Sequence, residues 1–244
     1  MNGNEMRMVR EIRPRNLLSF GPDTEPIALE SLNVLIGPNG SGKSNLIEAI
    51  SLLRAAPGDI RAVIRRGGGA SDWIWKGKPD GEASIDVVIS NLRGNLPLRH
   101  VLAFREENQT FRLADERIEN KEPFPGFDRP YFYYSYQHGN PVLNVSTKGL
   151  HEETEERKLK PETVETDQSI LAQRRDPEAY PEVSYLASVY DKIKIYREWY
   201  FGRSAIFREP QKADMRNVRL EEDFSNLGLF LTVCVGWGRE TRHC

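Results

Sequence analysis

The residues in this chain whose types and spacing could do chemistry are Gly37-Pro38-Asn39-Gly40-Ser41-Gly42-Lys43-Ser44, which fit the Walker A pattern G-x-x-x-x-G-K-[ST] at every fixed position. Each residue type answers a need of phosphate binding. Glycine lets the backbone turn through positive φ and brings N–H groups to phosphate oxygens where a side chain would collide. The loop feeds a helix N-terminus, beginning at Asn45, whose unpaired N–H groups and positive dipole end attract the same anion. Lys43 is placed to reach the β- and γ-phosphates as a point charge, and the Ser44 hydroxyl to ligate Mg2+. A chance match in a glycine-rich turn is the competing reading, and the strand and helix that flank the loop weigh against it. A second glycine run, Arg65-Arg66-Gly67-Gly68-Gly69, lacks a preceding apolar strand and reads as an exposed flexible loop.

The flanking elements must position that loop. Leu32-Asn33-Val34-Leu35-Ile36 is nearly all apolar and reads as a strand buried on both faces, as in a parallel sheet; Ile27-Ala28-Leu29 reads as a shorter one. Asn45 to Ala56 are good helix formers, stopped by Pro57-Gly58. From Ala83 to Ser146 the period changes to two, which predicts an antiparallel meander of about four or five strands: around Ile85 to Ile89, Leu98 to Arg105, Thr110 to Ile118, Tyr131 to Gln137 and Val142 to Ser146. His151 to Glu165 is dense in Glu and Lys and reads as an exposed connection. Glu178 to Asp191 reads as a helix and Ile193 to Trp199 as a strand. The expected domains are a lobe over 7–230, with the antiparallel insertion at 82–146 and the charged connection at 147–166, then an atypical tail at 231–244.

Composition bounds the class. The chain has 244 residues, 34 Lys+Arg against 36 Asp+Glu and a net charge of −2, so any nucleic-acid contact needs a local basic patch. Candidates are Arg174-Arg175 and the cluster Arg7, Arg10, Arg13 and Arg15. Both cysteines, Cys234 and Cys244, fall in the tail, which favours a reducing compartment. No run approaches the ~18 apolar residues of a membrane span, and a cytoplasmic protein without membrane contact is expected. Cys234, His243 and Cys244 have too few ligands and poor spacing for a metal site.

On these residues the chain resembles the AAA/ABC-type ATPases of the RecF/SMC/OLD branch. The resemblance rests on Arg15-Asn16-Leu17-Leu18-Ser19-Phe20-Gly21, on the phosphate loop with its flanks, and on the strings at 67–77, 165–182 and 194–203. It implies an α/β P-loop NTPase fold, the N-terminal lobe of an ABC-type head with an inserted antiparallel β meander. ATP and Mg2+ are the implied cofactors, and the site is Gly37, Pro38, Asn39, Gly40, Ser41, Gly42, Lys43, Ser44 and Asn45, with Ser44 on the metal. The family's glutamine loop falls at Thr166 to Gln173, where Gln173 or Gln168 would place an oxygen near Mg2+ and the attacking water; a plain surface glutamine is the alternative for each. The entry segment near Phe20 is the implied adenine contact. DNA and a head-to-head homodimer, or association with a downstream polypeptide, are the implied partners.

Two parts of such a head have no counterpart in the sequence. No Leu-Ser-Gly-Gly signature occurs, and no apolar strand ends in Asp-Glu. The nearest imitation, Thr110 to Glu116, alternates polar and apolar and predicts a surface-facing acidic pair at Asp115-Glu116. The expectation is a truncated or frame-shifted copy with ATP hydrolysis in doubt. A nucleotide-binding module without turnover and a P-loop phosphotransferase stay open as alternatives.

Overall fold

Strands of alternating pattern build the frame, and a computed structural model describes them within residues 7–78, 81–92, 94, 96–137, 139–146, 154–158, 164–197, 202–210 and 218–240. The strands are β1 (Val9–Arg15), β2 (Ile27–Ala28), β3 (Ala83–Ile89), β4 (Leu98–Glu107), β5 (Thr110–Asn120), β6 (Phe132–Gln137), β7 (Asn140–Ser146) and β8 (Thr154–Lys158). They form one sheet in the order β2-β1-β3-β4-β5-β6-β7-β8, and each pairing is antiparallel. Five of them fill the stretch from Ala83 to Ser146, where the two-residue period predicts a meander. Two-residue alternation and tight turns such as Asn108-Gln109, both at positive φ, favour this topology, because the primed turn matches the strand twist.

The helices are α1 (Lys43–Ala55), α2 (Ile60–Arg66), α3 (Ala70–Trp73), α4 (Ile170–Gln173) and α5 (Pro181–Asp191). Helix α1 buries Leu46, Ala49, Leu52 and Leu53, one stripe at helical spacing, and packs on α2 and α5. Pro181 opens α5 at the first turn, where its missing N–H costs nothing. Helix α5 turns Val183, Leu186, Ala187 and Tyr190 into the core and ties to the sheet through Tyr185, whose hydroxyl donates to the Ser90 carbonyl at 2.7 Å.

Several expectations change. The apolar run at 32–36 belongs to no strand, and the described residues contain no parallel pair. Its side chains lie open: Leu32 is 82% exposed, Val34 73%, Leu35 44% and Ile36 90%. A central strand is buried only when other strands flank it, and the flanking strands are not among the described residues. Ile193 to Arg197, expected as a strand, forms none, while 198–199 lie outside the described residues. The charged block at 151–165 carries β8, whose Glu and Lys pairing with β7 the charge density concealed. Arg65-Arg66 close helix α2 rather than standing in a loop.

The chain divides into two compact units, one up to Lys192 and one from Ile193. In the second, Asn226 is buried; its amide donates to the Arg219 carbonyl at 2.7 Å and its oxygen accepts from the Glu221 N–H at 2.9 Å. Helix α6 (Leu227–Glu240) runs through most of the segment expected as an atypical tail. Cys234 in it is exposed and free, whereas His243 and Cys244 lie outside the described residues. No described helix is long and apolar enough to cross a membrane.

Gly67 is held by packing. A Cβ there would stand 2.4 Å from Trp73 Nε1 and 2.9 Å from Cε2, and Trp73 is itself buried. Gly67→Ala is therefore expected to destabilise the chain by about 2 kcal/mol through overpacking, measured by urea unfolding. An unchanged midpoint would contradict the packing.

Candidate phosphate-binding site

The site begins with the backbone of the loop. Gly40 and Gly42 sit at φ 79° and 87°, a region an L side chain enters only under strain. Gly42 is the N-cap of α1, no side chain caps the helix, and no acidic residue stands in its first turn. The first N–H groups of α1 are thus left for an external acceptor, and the positive end of the helix dipole faces the same way. A Cβ on Gly37 would lie 2.8 Å from Ser41 Oγ, so a side chain there would push the Ser41 hydroxyl to another rotamer.

Lys43 curls over this cradle. Its Nζ donates to the carbonyls of Gly37 at 2.8 Å and Pro38 at 2.7 Å and lies 3.2 Å from Ser41 Oγ. The ammonium is thereby held at the mouth of the loop by three neutral acceptors, with no carboxylate partner among the described residues. The Ser44 hydroxyl has no hydrogen-bond partner among the described residues. An uncompensated cation, free helix N–H groups and a free hydroxyl are the donor set for a polyphosphate with a divalent cation, so these residues fit ATP and Mg2+ chemically.

The entry segment forms the wall beside the loop. Leu17 and Phe20 close a tight turn by mutual backbone bonds of 3.0 and 2.8 Å, Leu18 N–H reaches the Trp73 carbonyl at 2.7 Å, and Asn16 and Leu18 take positive φ. This turn brings Ser19 and Phe20 against Gly42, whose Cβ would stand 3.0 Å from Ser19 Oγ and 3.6 Å from Phe20 Cζ. Phe20 thus lies next to the phosphate loop.

The Thr166 to Gln173 segment is tied to the same helices. Arg61 on α2 pairs with Asp167 at 2.5 Å, and Arg175 donates to the carbonyls of Pro57 and, at 3.1 Å, Leu171. The Gln173 amide closes its own loop: Oε1 accepts from the Glu165 N–H at 2.9 Å, and Nε2 donates to the carbonyls of Glu165 and Gln168, each at 2.9 Å. Gln168 donates to Glu165 Oε2 at 2.6 Å. Among the described residues neither glutamine bonds to the phosphate loop.

Behind this segment lies a group that the sequence pattern misassigns. Glu116, expected at the surface, is fully buried. Its carboxyl accepts from the Ile170 N–H at 2.8 Å and from the Ser169 hydroxyl, and lies 3.4 Å from His100 Nε2. His100 Nδ1 in turn shares a hydrogen bond of 2.9 Å with the Tyr190 hydroxyl. The cause is a register shift in the β4–β5 pair: Phe104 faces Leu113, but Ala103 faces Asp115, so Ala114 is an extra residue. The bulge moves the inward phase from Phe111 and Leu113 to Glu116 and Ile118. Ser169 caps α4 while bonding to Glu116, so the buried carboxyl fixes where the 165–173 segment starts its helix.

The basic candidates are mostly committed internally. Arg7 pairs with Glu30, Arg10 donates to Ser90 Oγ at 2.8 Å and Arg13 to the Thr24 carbonyl at 2.7 Å. Arg175 lies 3.5 Å from Asp191, and Arg174 donates to the Gln173 carbonyl at 3.0 Å.

Residues 32–95, which contain the phosphate loop and the helices behind it, match the family model described as AAA domain, putative AbiEii toxin, Type IV TA system. The chain is also similar to curated proteins of chromosome partition and DNA double-strand break repair. Over part of its length the chain is similar to AAA/ABC-type ATPases of the SMC/RecF branch. The chromosome partition protein Smc of Coxiella burnetii is 40% identical over 70 residues, which is 27% of this chain and 6% of that protein. Smc of Rhodopirellula baltica is 32% identical over 95 residues, covering 37% of this chain and 8% of the relative. The DNA double-strand break repair Rad50 ATPase of Sulfolobus acidocaldarius is 39% identical over 130 residues, 50% of this chain and 14% of the relative. The match therefore spans a small fraction of each relative's length. The AAA-domain match over residues 32–95 supports a P-loop NTPase fold for that stretch.

Proposed function

We propose that this chain is the nucleotide-binding lobe of an ATPase head, that it binds Mg-ATP at Gly37 to Ser44, and that it acts on or near DNA in the cytoplasm. The observation that carries the reading is the loop itself: positive-φ Gly40 and Gly42, an uncapped α1 N-terminus and the Lys43 ammonium converge on one anion position. In this role the N–H groups of the loop and α1 hold the β-phosphate, and Lys43 exchanges its carbonyl partners for β- and γ-oxygens. Ser44 would hold the magnesium ion through its hydroxyl, and the ion would supply charge neutralisation on those oxygens. Phe20 flanks the loop where the adenine is expected.

Lys43 alone favours charge build-up on the γ-phosphate but does not activate water. That task needs the signature and acidic strand of a complete head, which the sequence lacks. We assign hydrolysis to a complex in which a further polypeptide supplies those parts; a head-to-head homodimer of this chain would bind nucleotide without supplying them. A single-turnover assay with radiolabelled Mg-ATP, with and without DNA, tests the assignment: binding without turnover is expected of the chain by itself. DNA-stimulated turnover by the chain alone would overturn it.

The exposed run at 32–36 supports the need for such a partner. Four apolar side chains in the open next to the phosphate loop form a patch of the kind that mediates association. Ile36→Asp, at a position 90% exposed, is expected to change unfolding free energy by less than about 0.5 kcal/mol. The same substitution should suppress concentration-dependent association of the wild-type chain in sedimentation velocity. Equal association of both proteins would remove this run as the contact.

A further inference from the structure

A second anion position lies at the far end of the β4–β5 hairpin. Arg105, Glu107, Thr110, Arg112, Tyr136 and Thr166 help to line a cavity of about 210 Å3 there. Its charges do not balance. Arg105 has only loose ion pairs, 3.7 Å to Glu82 and 3.6 Å to Glu107. Arg112 has no carboxylate partner among the described residues; its single bond, 3.2 Å long, goes to the neutral Thr166 hydroxyl. Tyr136, 7% exposed, lines the same cavity, close enough to Arg105 and Arg112 for both guanidiniums to act on its phenol.

Two guanidiniums, a phenol and the Thr166 hydroxyl against one lining carboxylate make a donor-rich recess for an oxyanion. We propose that Arg112, Arg105, Tyr136 and Thr166 form a binding site for a phosphate group, separate from the phosphate loop. The recess is smaller than the ~300 Å3 at which whole-ligand pockets begin, so it takes the phosphate head of a ligand and leaves the remainder in solvent. Guanidinium forks and hydroxyl donors around one centre suit a tetrahedral oxyanion. The site also touches the glutamine-bearing segment: the Leu113 N–H donates to the Thr166 carbonyl at 2.7 Å. Occupancy would therefore fix the start of the segment that ends at Gln173.

Phosphate of this kind comes from a small monoester or from a nucleic-acid backbone. The Lys43→Ala protein, which weakens the first site, is titrated with inorganic phosphate by 31P NMR, alongside Lys43→Ala/Arg112→Met and Lys43→Ala/Tyr136→Phe. Saturable binding is expected, weakened about tenfold or more by Arg112→Met and several-fold by Tyr136→Phe. Tyr136→Phe removes one oxygen and keeps the ring and its packing, so the ligand-free protein should keep its unfolding midpoint and remain a valid reporter if Arg112→Met misfolds. Displacement of phosphate by a nucleoside monophosphate assigns the monoester source, and displacement by a single-stranded oligonucleotide assigns the backbone. Absence of binding to the Lys43→Ala protein, or binding that both double variants retain unchanged, overturns the proposal.

Discussion

Glu116→Ala is expected to lower the unfolding free energy by about 3 kcal/mol or more, the range for removing one member of a buried polar network. The substitution deletes the acceptor of the Ile170 N–H and of the Ser169 hydroxyl and leaves the His100 ring facing a void. Glu116, His100 and Ser169 are all fully buried, so bulk solvent does not stand beside the orphaned donors. Against total stabilities of about 5–15 kcal/mol this is a large loss. Urea unfolding followed by circular dichroism measures it. Glu116→Gln, which keeps one carbonyl acceptor, should recover part of the loss, and the half-exposed neighbour change Arg117→Ala should cost much less. Equal, small effects of all three would mean that the network contributes nothing.

Lys43→Ala is expected to weaken Mg-ATP binding by about 10- to 100-fold, the equivalent of a lost charge-assisted contact of ~1.5–3 kcal/mol. Stability should hardly change, because Lys43 is on the rim of the loop and its ammonium bonds only to Gly37, Pro38 and Ser41. Separation of the two effects is the informative outcome. Binding lost together with the fold would point to a structural lysine, whereas binding lost from a stable chain points to contact with phosphate. Competition with a fluorescent nucleotide analogue, run beside thermal unfolding, reads both.

Much of this was legible in the residues. The phosphate loop, the α1 helix behind it and the five strands from Ala83 to Ser146 follow from glycine spacing, helix propensity and two-residue alternation, all of which are local signals. What failed was non-local. The run at 32–36 has the hydropathy of a central strand, yet hydropathy reports the environment a segment suits and not the partners present to supply it. Alternation put Glu116 at the surface because a one-residue bulge at Ala114 is invisible to a fixed period. A hint lay in Glu116 itself, since a strand whose polar residues fall out of phase past Ala114 is what a bulge produces. The 165–173 segment was located by resemblance alone; its bonds to Arg61 and Glu116 span more than fifty residues and leave no pattern in the chain.

The claim that matters most is that Gly37 to Ser44 bind a nucleoside triphosphate with magnesium. Isothermal titration of ATP into the folded wild-type chain, with and without Mg2+, tests it most directly. One saturable site per chain, tighter with Mg2+ and lost in Lys43→Ala, is the expected result. A folded wild-type chain that shows no saturable heat at millimolar nucleotide, or one whose binding survives Lys43→Ala unchanged, contradicts it.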